Sequence, residues 1–429
     1  MSDRKTAKWN DICNRTDSCA LCGAAAWAAA IKVSQILVNG PLWCYFYAMR
    51  LLEHNDVGLA ERMHMTQLDN TAIVYGSENA IKEGIDRILE NGTPELLFVE
   101  NNCSAGLIGD DLLGMVRGFN LDIPCIAMDS GGTIGCFAEG FSKACIKTLE
   151  LLVEGKEPVS IKPLKVNLLG MTPYYYNGRA DFDELVRILT KAGYEVNCLD
   201  SVDAIKCMRE AALNIVCHEE LGLEAAKYLQ KEYGMNYICP GLPYGCYGTR
   251  SWLLAIHNVL PVPNLEAVFV EIDAMEYYLT KKNNEVATLW SPLAFDKVFM
   301  AGTGTSVQSM ADAVRREWLD TDKLIVLSQH KLSRQYCEFA DEVIYADDGD
   351  YNIADLFAVA EEETVLLLGS SNEYMEMRMN NSKNVTRVHI ALPAVDGMLL
   401  NRVPYMGIKG SANMLQQLWN CFIEMKLRN

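Results

Sequence analysis

Three of the chain's fifteen cysteines stand in local sequence that could do chemistry. Cys19 opens Cys-Ala-Leu-Cys-Gly-Ala, Cys44 closes Asn-Gly-Pro-Leu-Trp-Cys, and Cys103 opens Cys-Ser-Ala-Gly-Leu-Ile-Gly-Asp-Asp. Each lies beside glycine at a predicted element end. There the backbone can come close to a bulky inorganic group, and amide N–H groups can point at its sulfides. Thiolates are the natural ligands of iron–sulfur clusters. Three thiolates leave one iron site open, so a fourth ligand is expected from a partner subunit or a non-cysteine group, with Cys22 as the reserve within the chain. The plain alternative is that free cysteines fill small buried sites.

Other chemistries lack their motifs. There is no G-x-x-x-x-G-K-[ST], so the usual phosphate-cradling loop for ATP is missing. The run Gly302-Thr-Gly304-Thr-Ser-Val lacks a third glycine, and no acidic residue ends the strand at 324–328, so it reads as a strand–helix turn. There is no H-E-x-x-H, and Cys19-Ala-Leu-Cys22 is a lone C-x-x-C. His389, on an apolar strand, reads as a satisfied core residue. Tyr174-Tyr-Tyr-Asn177 reads either as a pocket lining or, as is more common for such a run, as a loop packing on its own domain.

The elements that must position these residues follow one pattern. Short β-branched runs ending in Gly or a polar loop lead into amphipathic helices: 71–75 into 80–90, 165–170 into 181–192, 213–216 into 221–233, 297–301 into 307–318. A strand at 96–100 leads to the Cys103 loop, and a helix at 24–37 lies between Cys19 and Cys44. Such alternation predicts an α/β chain of parallel sheets flanked by helices. With 429 residues, half of them hydrophobic, the chain exceeds one core. Breaks at 155–163, and at the prolines bracketing a helical stretch from 261 to 292, suggest three Rossmann-like domains, 1–163, 164–292 and 293–429. The net charge of −18 is the wrong sign for a nucleic-acid surface. The N-terminus has no apolar leader, and the longest apolar stretch, 24–38, is broken by Lys32 and Gln35. A cytoplasmic protein that binds neither nucleic acid nor membrane is expected, with disulfides disfavoured.

The three cysteine segments together resemble the nitrogenase component 1 family. Its ligand motifs are Cys-Ala-x-x-Gly-(Ala/Ser), His-Gly-Pro-x-Gly-Cys and Cys-x-x-x-(Leu/Ile)-Ile-Gly-Asp-Asp. Cys19, Cys44 and Cys103 occupy the ligand places, and Gly23, Gly40-Pro41 and Ile108-Gly109-Asp110-Asp111 match around them. Asn39 replaces the family's His, and Trp43 replaces a Gly. Further matches run from Ile123–Met128 through Val166–Gly170 and Pro243–Leu253 to Pro393–Asp396 and Gly407–Gly410, with Gly397 in an Arg place.

The resemblance implies a [4Fe–4S] cluster, or a larger cluster shared between subunits, held at an interface with a second copy or a related component 1 subunit. It also implies a separate P-loop Fe–S ATPase reductase that supplies single electrons, and a substrate in a cleft between domains. Asp110 and Asp111 take a structural, helix-starting role. The segment Leu213-Asn-Ile-Val-Cys217-His218 resembles the one that supplies a Cys to the family's large cofactor, with His218 in the Cys place. No histidine falls at Gly397, where that cofactor's second ligand would sit. His218 is therefore the candidate contact for a possible second metallocofactor or metal-bearing substrate, with Cys217 packing on the opposite face of the strand. A non-catalytic scaffold for metallocofactor assembly would carry the same three cysteines.

Overall fold

The computed structural model describes residues 18–428 apart from 54–57, 154, 156, 158, 349–350, 361, 380–383 and 401. Its strands form three parallel sheets. The first contains β1 (Ser34–Asn39), β2 (Met63–Met65), β3 (Leu96–Asn101) and β4 (Cys125–Asp129), in the order β2-β1-β3-β4. The second contains β5 (Lys162–Leu169), β6 (Glu195–Asn197), β7 (Ala211–Val216) and β8 (Tyr237–Ile238), in the order β6-β5-β7-β8. The third contains β9 (Ala294–Gly302), β10 (Asp320–Ser328), β11 (Glu342–Tyr345), β12 (Val365–Gly369) and β13 (Val385–His389), in the order β11-β10-β9-β12-β13.

Central strands such as β3 and β12 are buried along their whole length, as expected where helices cover both faces of a parallel sheet. In each sheet the strand order reverses beside the first strand. The crevices outside the carboxyl ends of β1 and β3, of β5 and β7, and of β9 and β12 are thus the places where open α/β sheets bind ligands.

Two sequence expectations are corrected. The helix expected over 24–37 is Ala20–Ala30, and residues 34–39 are strand β1. The alanine run favours helix, but Ile36, Leu37 and Val38 are fully buried between β2 and β3, so tertiary pairing decides the segment. The strand expected over 71–75 is the helix Asn70–Tyr75, because the Asp69 carboxylate accepts the Ala72 N–H at 2.8 Å and caps it.

The sheets are clamped together. One apolar core joins the second and third sheets through Val166, Trp252, Val298 and Leu418. The C-terminal helix Gly407–Arg428 packs on β13 and on helices Gly178–Ala192, Gly245–Val259 and Leu265–Trp290. We propose to divide the chain at the seams between sheets, 1–163, 164–292 and 293–429, with β5 beginning just ahead of the first seam.

Candidate functional site

Two sites are built at these crevices. The first is a cysteine corner on the first sheet. Cys44 lies in the opening turn of helix Leu42–Leu52 after β1, and Cys103 opens helix Cys103–Ile108 after β3. Asn102 ties the two together. Its Nδ2 donates to Cys44 Sγ at 3.2 Å, and its Oδ1 accepts from Ala105 N at 2.9 Å.

Cys19 precedes helix Ala20–Ala30 and faces Cys136 across an isolated antiparallel bridge. Glycines allow this approach. A Cβ on Gly23 would lie 1.8 Å from the Phe137 carbonyl oxygen, and one on Gly140 would lie 1.9 Å from that of Ala20. Only glycine lets helices Ala20–Ala30 and Phe137–Leu152 cross so closely. The Gly131-Gly132 turn completes the corner. Gly132 N donates to Cys103 Sγ at 2.9 Å, and a Cβ there would sit 3.2 Å from Cys19 Cβ and 3.7 Å from Cys103 Sγ.

The structure thus brings Cys19, Cys44 and Cys103 around Asn102 and Gly131-Gly132, all half-buried. A hydrogen bond with the Cys22 thiol lowers the Cys19 thiol to about 6, while Cys22, buried behind it, is pushed well up. Glu100, fully buried on β3, is raised to about 8 by desolvation against a 3.1 Å bond from Ser130 Oγ, so a neutral carboxyl lies near the thiols at pH 7. Among the described residues, no three His, Cys, Asp or Glu side chains close on one point to hold a single metal ion. The thiolates around a cluster bind different iron atoms and need not do so.

The two departures from the expected motif have local uses. Asn39 donates to Asn101 Oδ1 at 2.8 Å and Ser77 Oγ at 2.9 Å, and accepts from Thr66 Oγ1 at 2.9 Å. Trp43 is 65 % exposed beside Phe46 and Tyr47, with ring centroids 6.0–6.3 Å apart, forming an aromatic patch next to Cys44. Asp111 caps helix Leu112–Gly118 through Gly114 N at 3.0 Å, and Asp110 accepts from Ser77 N at 2.8 Å.

The second site is a cavity of about 60 Å³ where elements of all three sheets meet. Phe137 reaches it from the first domain, Tyr175, His218 and Tyr244 from the second, and Thr303 and Gln329 from the third. The loop Tyr174–Tyr176 lines this cavity, so of its two readings the pocket lining holds over the commoner packing on its own domain. His218 precedes helix Glu219–Tyr233 at the carboxyl end of β7. Its side chain is 4 % exposed, edge-on to Tyr175 at 4.9 Å. Cys217 faces the other way, into the core.

His218 Nδ1 stands 3.4 Å from Glu220 Oε1, and among the described residues neither atom has a well-aligned hydrogen bond. Burial works to raise the Glu220 carboxyl, but His218, His330 and Thr305 outweigh it and bring it to about 2. Glu219 accepts from Tyr336 OH and Ser333 N of the third domain, which seats the helix start there. Asp181 accepts the Tyr405 and Met406 N–H groups at 2.6 and 2.8 Å; even so, burial raises its carboxyl to about 7. His389 Nε2 stands 3.1 Å from Asp396 and 3.3 Å from Arg387 Nε, and among the described residues its buried Nδ1 has no well-aligned hydrogen bond.

A family model described as nitrogenase component 1 type oxidoreductase matches residues 19–423, a span that begins at Cys19 itself. The chain belongs to that family. This component 1 type chain is 23% identical to a light-independent protochlorophyllide reductase chain of Chlorokybus atmophyticus over 428 residues, covering 93% of this chain and 81% of that one. It is 24% identical to the corresponding reductase chain of Zygnema circumcarinatum, with the same coverage. Its fold matches the solved structure of nitrogenase Cp1 at pH 6.5 with a TM-score of 0.77 and 16% identity, covering 96% of this chain and 94% of that one. For nitrogenase Cp1 at pH 5 the TM-score is 0.76, at 20% identity. Among the described residues, no helix of this component 1 type chain is long and apolar enough to cross a membrane.

Proposed function

We propose that this chain is the catalytic component of a nitrogenase-like reductase. Cys19, Cys44 and Cys103 would hold an iron–sulfur cluster, either one [4Fe–4S] unit or half of a larger one shared with a partner subunit. Bound there, the group would supply single-electron transfer. The observation that carries the reading is the meeting of three thiols at the crevice of the first sheet, two of them already accepting N–H donors at sulfur. Those donors would stabilise thiolates, and the lowered Cys19 thiol ionises readily.

Cys22 is a poor fourth ligand because it is buried and held protonated. That place falls to a partner, either a second copy or a related component 1 subunit, or to a non-cysteine group. The exposed patch of Trp43, Phe46 and Tyr47 is the surface we assign to that partner. ATP would stay on a separate P-loop Fe–S reductase, because this chain lacks the phosphate loop.

The substrate or metallocofactor would sit in the interdomain cavity. His218 would contact it, and Glu220 would hold the imidazole from behind. As it stands, the cavity has room for only a few water molecules, so binding requires the three-domain seam to part. The test is turnover with reductase and ATP under anaerobic conditions, with protochlorophyllide, named in the relatives, as the first substrate to try. Reduction supports the catalytic role. Release of an intact metallocofactor without reduction of any substrate would instead make the chain an assembly scaffold.

A further inference from the structure

The isolated antiparallel bridge between Cys19 and Cys136 sets two cysteines, each at the start of a different helix, opposite one another. We propose that in the cluster-free chain they are a reversible oxidation site, closing as a Cys19–Cys136 disulfide. The disulfide takes Cys19 out of the ligand set and so blocks cluster loading. That consequence rests on the reading of Cys19 as a ligand; the pairing itself does not.

The backbone supplies the geometry. Ala20 N donates to the Gly135 carbonyl at 3.0 Å, the bond that flanks a non-hydrogen-bonded antiparallel pair. Opposed residues in such a pair have Cα atoms about 4.5 Å apart, within the roughly 4.4–6.8 Å that a disulfide spans. The close helix crossing at Gly23 and Gly140 holds the two segments in that register. The Cys136 N–H also donates to Glu139 Oε2 at 2.8 Å, which fixes the start of the second helix.

Other partners for Cys19 are less well set. Cys103 Sγ accepts the Gly132 N–H at 2.9 Å, and Gly132 stands between it and Cys19. A Cβ on Gly132 would lie 3.7 Å from Cys103 Sγ and 3.2 Å from Cys19 Cβ. Cys22 is 5 % exposed, and its N–H is bonded to the Cys19 carbonyl at 3.0 Å inside the first helical turn. Cys136 is half-buried, so a small oxidant can reach it. His330 Nε2, 3.9 Å from Cys136 Sγ, gives that sulfur a polar neighbour where a mere space-filler would have an apolar one.

The step balances with a low-molecular-weight disulfide as oxidant. Cys136 Sγ attacks one of its sulfurs, the S–S bond breaks and the first small thiol leaves. Cys19 Sγ then attacks Cys136 Sγ, and the second small thiol leaves. The two cysteines lose two electrons and two protons, and the two released thiols carry both. In a reducing compartment a disulfide of this kind is transient and senses the redox state.

The test uses the full-length chain, freed of iron by a chelator without denaturant, and oxidised glutathione. Remaining thiols are then alkylated, and linked peptides are mapped by mass spectrometry without reduction. A Cys19–Cys136 link should be the main product, reopened by dithiothreitol and lost in Cys136→Ser. Iron uptake on reconstitution should be lost in the linked chain and return after dithiothreitol. The iron-loaded chain, treated alike under argon, should form no link. Cys19 joined mainly to Cys22, links scrambled among the fifteen cysteines, or glutathione adducts alone overturn the site. Equal linking in the loaded chain, or full iron uptake by the linked one, overturns the competition for Cys19. A link that forms in a chain whose reduced form takes up no iron keeps the oxidation site and removes instead the reading of Cys19 as a ligand.

Discussion

The first and second sheets share one strand order, yet their crevices hold opposite kinds of groups. At the first, three thiols lie half-buried beside an exposed aromatic patch, with a neutral carboxyl near them. At the second, an imidazole that is 4 % exposed sits against an ionised carboxylate, closed in by the third domain. The same topology thus builds half-buried thiols beside an exposed aromatic patch at one crevice and a buried imidazole beside a carboxylate at the other. The difference comes from what covers each crevice. The third domain caps the second through Thr305, Ser333 and Tyr336, while toward the first it sends His330, which stands 3.9 Å from Cys136 Sγ.

If the aromatic patch is the partner-facing side of the open corner, Trp43→Ala/Tyr47→Ala should weaken subunit association by about 2 kcal/mol or more, roughly 30-fold, in sedimentation equilibrium. Unchanged association would place the partner elsewhere and break the contrast.

The closed pocket should be sensitive to the bonds that shut it. Asp181→Ala leaves the Tyr405 and Met406 N–H groups without their acceptor and should cost about 1–3 kcal/mol in a denaturant titration. Asp181→Asn keeps an acceptor and removes the charge. The folded carboxyl is raised to about 7, above its unfolded value near ~3.9, so the folded state binds more protons in between. Its contribution is fully present below the unfolded value and is lost as pH rises through about 7. The Asn variant should therefore gain on the wild type as pH rises across that window. Parallel stability curves would show that Asp181 ionises as an ordinary surface carboxylate does.

His218→Ala separates function from packing. One lost polar contact to the bound group, worth about 1.4 kcal/mol, should lower turnover roughly tenfold. Folding and the iron of the first domain should stay intact. A destabilised protein with unchanged specific activity would make His218 a structural residue. The smallest effect is expected at Asp111→Ala, about 1 kcal/mol from the loss of one helix cap. It should loosen the region after the Cys103 helix in hydrogen exchange and leave the closed pocket unchanged.

Sequence and structure agree where chemistry is local. The α/β class was legible from the alternation of strands and helices, and the proposal for Cys19, Cys44 and Cys103 comes from the glycine-flanked motif that each carries. Cys136 was not legible. It reaches the corner only because Gly23 and Gly140 let two helices cross, a pairing distant in the chain. The sole local hint was another Gly-Cys at a helix start. The run from Ala24 to Leu37 read as one helix because short apolar segments do not distinguish helix from buried strand. Tyr174–Tyr176, Asp181 and Glu220 gained their setting from the third domain, through Tyr405, Met406 and Thr305, which no local pattern reports.

The cysteine corner, and not the His218 pocket, should carry the iron–sulfur cluster. Iron and acid-labile sulfide per chain, after anaerobic purification of the wild type, Cys103→Ala and His218→Ala, decide between them. The wild type and His218→Ala should be coloured with the same iron content, and Cys103→Ala should fold but have lost its iron. Full iron in Cys103→Ala, or a colourless, iron-free wild type, would contradict it.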